Sequence, residues 1–268
     1  MGRSLAVIGV GNMAKSIIAG ILKSNVDIST LWLHDKNKDT FKSLEHSDKF
    51  VFASCICDAV KNSDCVLLSV KPQNYPEVLQ NVKLADPLGE KLYVSIAAGI
   101  TSTSISKYLN GAKVIRVLPN LPMTIGFGVS AICRNCSIPD ADMAFVQSIF
   151  ASAGSTLFIE ENEMNRVIGV LSSSPAYVFE FIDAICKGAD AQGLNGKKFS
   201  DAVCDVVIGS AELLKKSGES PSKLISKVAS KGGTTQRAID CLESCDFYGI
   251  IAKAMIACTE RADELGKQ

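Results

Sequence analysis

Gly9-Val10-Gly11-Asn12-Met13-Ala14 is the segment that most narrows what this chain can become. It stands directly after an apolar run, Leu5–Val10, and directly before Met13–Lys23, whose Ile17, Ile18, Ile21 and Leu22 share one side of a helix. Gly9 permits a tight turn, Gly11 has no side chain to hold a pyrophosphate off the backbone, and Ala14 lets helix close on strand. Asn12 and Met13 open the helix, whose free N–H groups and partial positive charge would face the phosphates. A glycine turn alone is a weak signal. Here the strand–helix–strand context supports a dinucleotide site, with a ribose contact expected about twenty residues on.

That contact falls in His34-Asp35-Lys36-Asn37-Lys38, at the end of the second expected strand. Asp35 suits the 2′-OH of NAD, whereas Lys36, Asn37 and Lys38 suit the 2′-phosphate of NADP. A solvated turn of mixed charge is the plain alternative. The segment leaves the choice open and tilts it toward NADP.

Further short apolar runs follow at Leu31–His34, Val51–Ala53, Cys65–Val70, Leu92–Ile96 and Val114–Val117, each bounded by turn or helix signals. Val129–Cys133 and Thr156–Ile159 add two more. Strands alternating with crossover helices predict a parallel sheet covered on both faces. After about Asn162 strand signals stop and helical stripes take over: Val178, Phe179, Ile182, Ile185 and Cys186, then Val203, Val206, Val207, Leu213 and Leu214. A last helix is expected over Phe247–Leu265, and Gly188, Gly193 and Gly218 are expected at helix ends. The fold class is therefore α/β. An N-terminal Rossmann-type, doubly wound parallel sheet over 1–162 is followed by a C-terminal all-α domain over 163–268. Helices this apolar complete their core against a second copy, which makes the second half a dimerisation domain.

The 28 basic and 28 acidic residues balance, so no general field attracts nucleic acid or a membrane surface. A small molecule is the expected partner. No apolar run approaches the roughly 18 residues of a spanning helix, and the start reads straight into a strand without a signal peptide, so the expected location is the cytoplasm. The ten cysteines read as reduced and mostly buried thiols. Cys133 and Cys136 have the spacing of half a zinc site, but no second such pair and no nearby histidine complete it; no metal is expected.

The segment Ser230-Lys231-Gly232-Gly233-Thr234-Thr235-Gln236 precedes another helix. Its amides and hydroxyls are able to form a cradle for a carboxylate. An N-cap at Thr234 or Thr235 explains the same residues.

Taken together, these blocks resemble the pyrroline-5-carboxylate reductases, from Leu5 to about Leu265. The likeness is carried by the glycine loop, Val70-Lys71-Pro72, Ser95-Ile96-Ala97-Ala98-Gly99, Arg116-Val117-Leu118-Pro119-Asn120-Leu121-Pro122, Ser174-Pro175-Ala176-Tyr177-Val178-Phe179, and Ser230 to Thr235. The resemblance implies NAD(P)H-dependent reduction of L-1-pyrroline-5-carboxylate to L-proline, the last step of proline biosynthesis. It implies that Val70, Lys71, Pro72, Ala97 and Asn120 line the nicotinamide and ribose. It also implies that Ser230, Gly232, Gly233, Thr234 and Thr235 hold the imino-acid substrate, in a homodimer or a larger ring of dimers.

The chain departs from the family at Lys231, where proline is usual, at Leu121, where threonine is usual, and at Leu171-Ser172, where Ser-Gly is common. Lys231 either strengthens a carboxylate site or marks a paralogue for another cyclic imine or a keto acid. A dinucleotide sensor without turnover is the remaining alternative. Reducing an imine asks mainly for positioning, and a hydroxyl such as that of Thr235 suffices to hold the nitrogen. A 2-hydroxyacid dehydrogenase would want a catalytic histidine, yet His34 and His46 both lie in the first half. A β-hydroxyacid dehydrogenase would want a lysine early on the helix from Pro175 to Cys186, and none precedes Lys187. Tyr177, Phe179 and Phe181 read as packing; Glu163, Glu180 and Glu219 read as surface or capping residues, although Glu219 lies close to an acidic position of the family.

Overall fold

A computed structural model describes residues 2–135 and 137–266. Eight strands form one sheet: β1 (Arg3–Ile8), β2 (Ile28–His34), β3 (Phe50–Phe52), β4 (Cys65–Leu68), β5 (Leu92–Ser95), β6 (Lys113–Leu118), β7 (Gly128–Cys133) and β8 (Gly154–Ile159). Their order is β3-β2-β1-β4-β5-β6-β7-β8. The helices between them are α1 (Asn12–Lys23), α2 (Ile56–Lys61), α3 (Tyr75–Ala85), α4 (Ser102–Tyr108) and α5 (Asp140–Ala151). The chain reverses direction across the sheet at β1, which carries β2 on one side and β4 on the other. In such a sheet ligands bind where the order switches, beyond the carboxyl ends of the strands.

Alternation along each central strand assigns its side chains to two cores. Leu5 and Val7 of β1, Leu31 and Leu33 of β2, and Cys65 and Leu67 of β4 meet Ile17, Ile18 and Ile21 of α1. Ala6, Ile8, Val66 and Leu68 face the opposite way, onto Ala59, Val60, Val78 and Val82 of α2 and α3. Both faces are covered, which is why these strands read as unbroken apolar runs.

The expected parallel sheet is present, with one exception at its far side: β7 runs antiparallel to β6. The link between them holds only a 3-10 turn, Leu121–Ile125. A parallel return needs a crossover of about a dozen residues or more. β8 again lies parallel to β7, after α5.

From Glu161 the chain is helical: α6 (Met164–Val167), a π-helical turn (Ile168–Ser172), α7 (Ser174–Ala191), α8 (Gly196–Ser217), α9 (Pro221–Val228), α10 (Thr234–Ser244) and α11 (Phe247–Leu265). Gly218 is the left-handed C-cap of α8 and Gly193 follows α7, but Gly188 lies inside α7. A helix interior tolerates one glycine at a cost of about 1 kcal/mol. The run Glu161–Ala191, with a window of mean hydropathy 1.2, is long and apolar enough to cross a membrane by length and composition. This corrects the reading of short apolar runs only: Ser172, Ser173 and Ser174 interrupt the run in sequence without ending the helix. A single such helix is weak evidence for a membrane.

The chain forms two compact units, 1–175 with 255–268, and 176–254. This partition differs from a boundary after residue 162 in two ways: residues 163–175 stay with the first unit, and α11 starts in the second unit but ends in the first. Within the first unit that end is tied down closely. Ala262 is buried, Asn165 donates to Asp263 at 2.7 Å, and any side chain at Gly99 would meet the Ala262 carbonyl. In the second unit α7, α9 and α10 bury none of their residues. Phe179, Val206 and Leu213 are 55%, 65% and 57% exposed, so these stripes lack the cover their pattern requires. The cysteines are less buried than expected: of the nine described, only Cys65 and Cys133 are buried, while Cys55, Cys241 and Cys245 are exposed.

Candidate dinucleotide site and substrate loop

Gly9 follows β1 with φ +91°, a conformation that L side chains rarely adopt, and a Cβ there would press on Ser69 and Val70. Its amide donates to the His34 carbonyl at 2.8 Å, and the Val10 amide donates to Asp35 Oδ2 at 2.7 Å. Asp35 Oδ1 accepts from the Asn37 amide at 2.8 Å. One carboxylate thus fastens the end of β2 to the glycine turn. This is a structural duty that the sequence reading, which offered Asp35 to a ribose, did not foresee.

Gly11 is the N-cap of α1 and has no side chain to satisfy the first amides of the helix. The space a Cβ would enter is open, with no atom within 4 Å. An uncapped helix end beside a hollow is what an anion requires. Asn12 is exposed, Met13 half-buried and Ala14 fully buried, so Ala14 contributes close packing of α1 on β1. A cleft of about 400 Å³ runs past this end, lined by Gly9, Gly11, Asp35, Lys36, Val70 and Lys71. His34 lines it too, and burial holds its imidazole below the usual range, toward the neutral form. Pro72 opens the 3-10 turn that leads into α3.

Three residues read as nicotinamide contacts, Pro72, Ala97 and Asn120, lie outside the lining of that cleft. Ala97 is buried, and its amide donates to Ser95 Oγ at 3.4 Å. Ser95 Oγ in turn lies 2.8 Å from the hydroxyl of buried Tyr75. Asn120 is a buried strut: its Oδ1 accepts from the Val129 amide at 2.8 Å and its Nδ2 donates to the Leu171 carbonyl at 3.1 Å. It pins the π-helical turn to β7. Neither Tyr75 nor the far partners of Asn120 had any local signal in the sequence.

Arg116 and Glu161 were also missed as a pair. Arg116 is 1% exposed, and its guanidinium donates to Glu161 Oε1 at 2.6 Å and to Asn165 Oδ1 at 3.1 Å. Glu161 Oε2 accepts from Ser102 Oγ at 2.7 Å and from Cys133 Sγ at 3.2 Å. Burial pushes the Glu161 carboxyl upward. Hydrogen bonds from Ser102 and Arg116, the Arg116 charge and the Cys133 thiol outweigh it and hold the group below the usual range. Burial pushes the Cys133 thiol up to about 12, so it stays protonated as a donor. Its proposed partner in a half zinc site, Cys136, lies outside the described residues. Among the described residues no group of three or more metal-ligating side chains comes together.

In the second unit, Ser230 to Thr235 run from the link after α9 into the first turn of α10. Gly233 is the N-cap of α10 and makes no side-chain cap. This corrects the alternative of a threonine cap: Thr234 and Thr235 are the first two helical residues. The Gly233 amide closes back on the Ser230 carbonyl at 2.9 Å, and Ser230, Lys231, Gly232 and Thr234 are exposed. Glu219 is engaged elsewhere, with Lys227 at 2.5 Å and Lys223 at 3.1 Å.

The model of pyrroline-5-carboxylate reductase dimerisation matches residues 161–265, and that of NADP oxidoreductase, coenzyme F420-dependent, matches residues 4–99. The pyrroline-5-carboxylate reductase of Escherichia coli K12 is 31% identical over 269 residues, covering 100% of both chains. The chain belongs to the pyrroline-5-carboxylate reductase family. The reductase of Synechocystis is 33% identical over 272 residues, again with 100% of both chains covered. The crystal structure of Plasmodium falciparum pyrroline carboxylate reductase with NADP bound superposes with a TM-score of 0.87 at 25% identity, over 98% of each chain.

Proposed function

We propose that this chain reduces L-1-pyrroline-5-carboxylate to L-proline with NADPH, NADH being the alternative reductant. The observation that carries the reading is family likeness over the entire chain, through both the glycine cleft and the Ser230–Thr235 loop. When bound, the reduced nicotinamide would supply a hydride for C5 of the ring imine, whose nitrogen carries the proton, so that the C=N double bond becomes the C–N single bond of the amine.

The chain's own residues bind and orient. The open end of α1, with Gly9, Gly11, Asn12, Met13 and Ala14, takes the pyrophosphate; Asp35, Lys36 and Asn37 take the adenosine ribose. Val70, Lys71, Pro72, Ala97 and Asn120 form the nicotinamide end, with Asn120 acting through its backbone and through the π-helical turn it pins. Ser230, Gly232, Gly233 and Thr234 hold the carboxylate. The Thr235 hydroxyl, unused as a cap, accepts from the N–H of the protonated ring nitrogen and holds it in line. Removing that hydroxyl as Thr235→Ala is expected to lower kcat/KM about 10- to 100-fold, the effect of losing a hydrogen bond to a charged group. Steady-state kinetics on the imine checks this, and unchanged turnover removes the role.

The working unit in this reading is a homodimer, with rings of dimers as the larger assembly. The uncovered apolar stripes of the second unit support it, since the dimerisation model covers them. The functional division remains 1–162 for dinucleotide and 163–268 for substrate and partner. Exposed Cys55, Cys241 and Cys245 suit a reducing compartment, the cytoplasm.

The deciding experiment follows the absorbance of NADPH, and separately of NADH, as pyrroline-5-carboxylate is added to purified protein. Rapid oxidation is expected, faster with NADPH. Binding of both dinucleotides without oxidation would replace this reading with a sensor or with a paralogue for another imine.

A further inference from the structure

The dinucleotide cleft has two walls: the end of β2, with Asp35 and Lys36, and the turn after β4, from Ser69 to Asn74. Glu77 continues the second wall in the first turn of α3. Lys36 Nζ donates to Glu77 Oε2 at 2.6 Å, so an ion pair crosses from one wall to the other. Both side chains are largely exposed, at 67% and 58%. The pair therefore lies along the outer edge of the cleft.

We propose that Glu77 is a specificity-determining residue for the dinucleotide: it competes with the adenosine 2′-phosphate for the Lys36 ammonium. The inference rests on the reading of this cleft as the dinucleotide site. The adenosine ribose meets the end of the second strand in such folds, which places a 2′-phosphate beside residues 35 to 38. The other polar groups there are already committed. Both oxygens of Asp35 hold backbone amides, Asn37 Oδ1 accepts from the Asp39 amide, and Lys38 Nζ reaches the Ala53 carbonyl and lies over the Phe41 ring. Lys36 is the cation of this segment that lines the cleft. Its present partner is a carboxylate in a solvent-exposed pair, a kind of contact that shifts an equilibrium by less than about tenfold. A phosphate dianion is the stronger partner for an ammonium and displaces Glu77. The released carboxylate is then left beside the new anion and repels it. NADH has no 2′-phosphate, so the strap stays closed when it binds. Glu77 thus lowers affinity for NADPH selectively and narrows the preference between the two cofactors.

Fluorescence titration of the full chain with NADPH and with NADH, without substrate, tests this on wild type, Glu77→Gln, Lys36→Ala and the double variant. Glu77→Gln is expected to tighten NADPH about three- to fivefold and to change NADH less than about twofold. In the Lys36→Ala background the same substitution is expected to change NADPH less than about twofold, because the competition needs the lysine. An unchanged ratio of the two affinities in Glu77→Gln overturns the proposal. So does an undiminished gain in the absence of Lys36. Wild-type protein that binds neither dinucleotide would instead sink the reading of the cleft, and the inference with it.

Discussion

Alanine at position 11 is expected to leave the fold unchanged while weakening dinucleotide binding about 10- to 100-fold. Gly11 has φ −78°, which alanine adopts without strain, and the place of the new methyl group is free of protein atoms. Removing a glycine where alanine fits raises stability by about 0.4–1 kcal/mol through the unfolded chain. The methyl group does meet the ligand. It stands at the uncapped end of α1 and pushes the pyrophosphate away from amides whose bonds to a charged group contribute about 1.5–3 kcal/mol each. Thermal melting without ligand and dinucleotide titration, run on the same Gly11→Ala protein, separate the two effects. Unimpaired binding would mean that the phosphates do not lie against this helix end.

The second large effect is on stability. Arg116→Leu is expected to lower it by about 3–5 kcal/mol, the usual result of breaking a buried ion pair from one side. In a chain of this size that corresponds to about 6–20 °C in Tm. Arg116 is the group joining β6 to Glu161 and Asn165, and Asn165 continues the chain of bonds to Asp263 on α11. Replacing Glu161 by leucine as well is expected to recover part of the loss, since no carboxylate then remains without its cation. If the single variant melts with wild type, the network is ornament rather than support. The same carboxylate gives a pH signature. Glu161 is held below the usual glutamate range in the folded chain, so its contribution is fully present above the unfolded value. That contribution is lost as pH falls through the folded value, and in Glu161→Gln the acid limb of stability is expected to flatten.

Local patterns made much of this molecule readable. Each expected strand begins or ends within three residues of an observed one, because a buried strand with its flanking turns is written in contiguous residues. The glycine turn and the helix after it are local for the same reason. The direction of β7 was not local: it follows from the brevity of the link at Leu121–Ile125, which outweighs the preference of the neighbouring strands. Asp35 shows the limit within the site itself. Its place at the end of β2 is written in the sequence, but its bond to the Val10 amide joins residues 25 positions apart and appears only when the sheet forms. Asn120 bridging to Leu171, 51 residues away, and Glu77 meeting Lys36, 41 residues away, are of the same kind. Gly233 capping α10 in place of a threonine was a choice between neighbours that composition alone cannot rank.

The return of α11 to the first unit has a consequence for the order of assembly. A ribosome makes the sheet early, yet the turn at Gly99 receives its covering helix only when the residues around Ala262 emerge, more than 160 positions later. Until those residues emerge, the nascent dinucleotide unit is open on that flank, and a fragment cut after residue 162 lacks that cover. Vectorial synthesis therefore delays completion of the first unit until the helices of the second have been made.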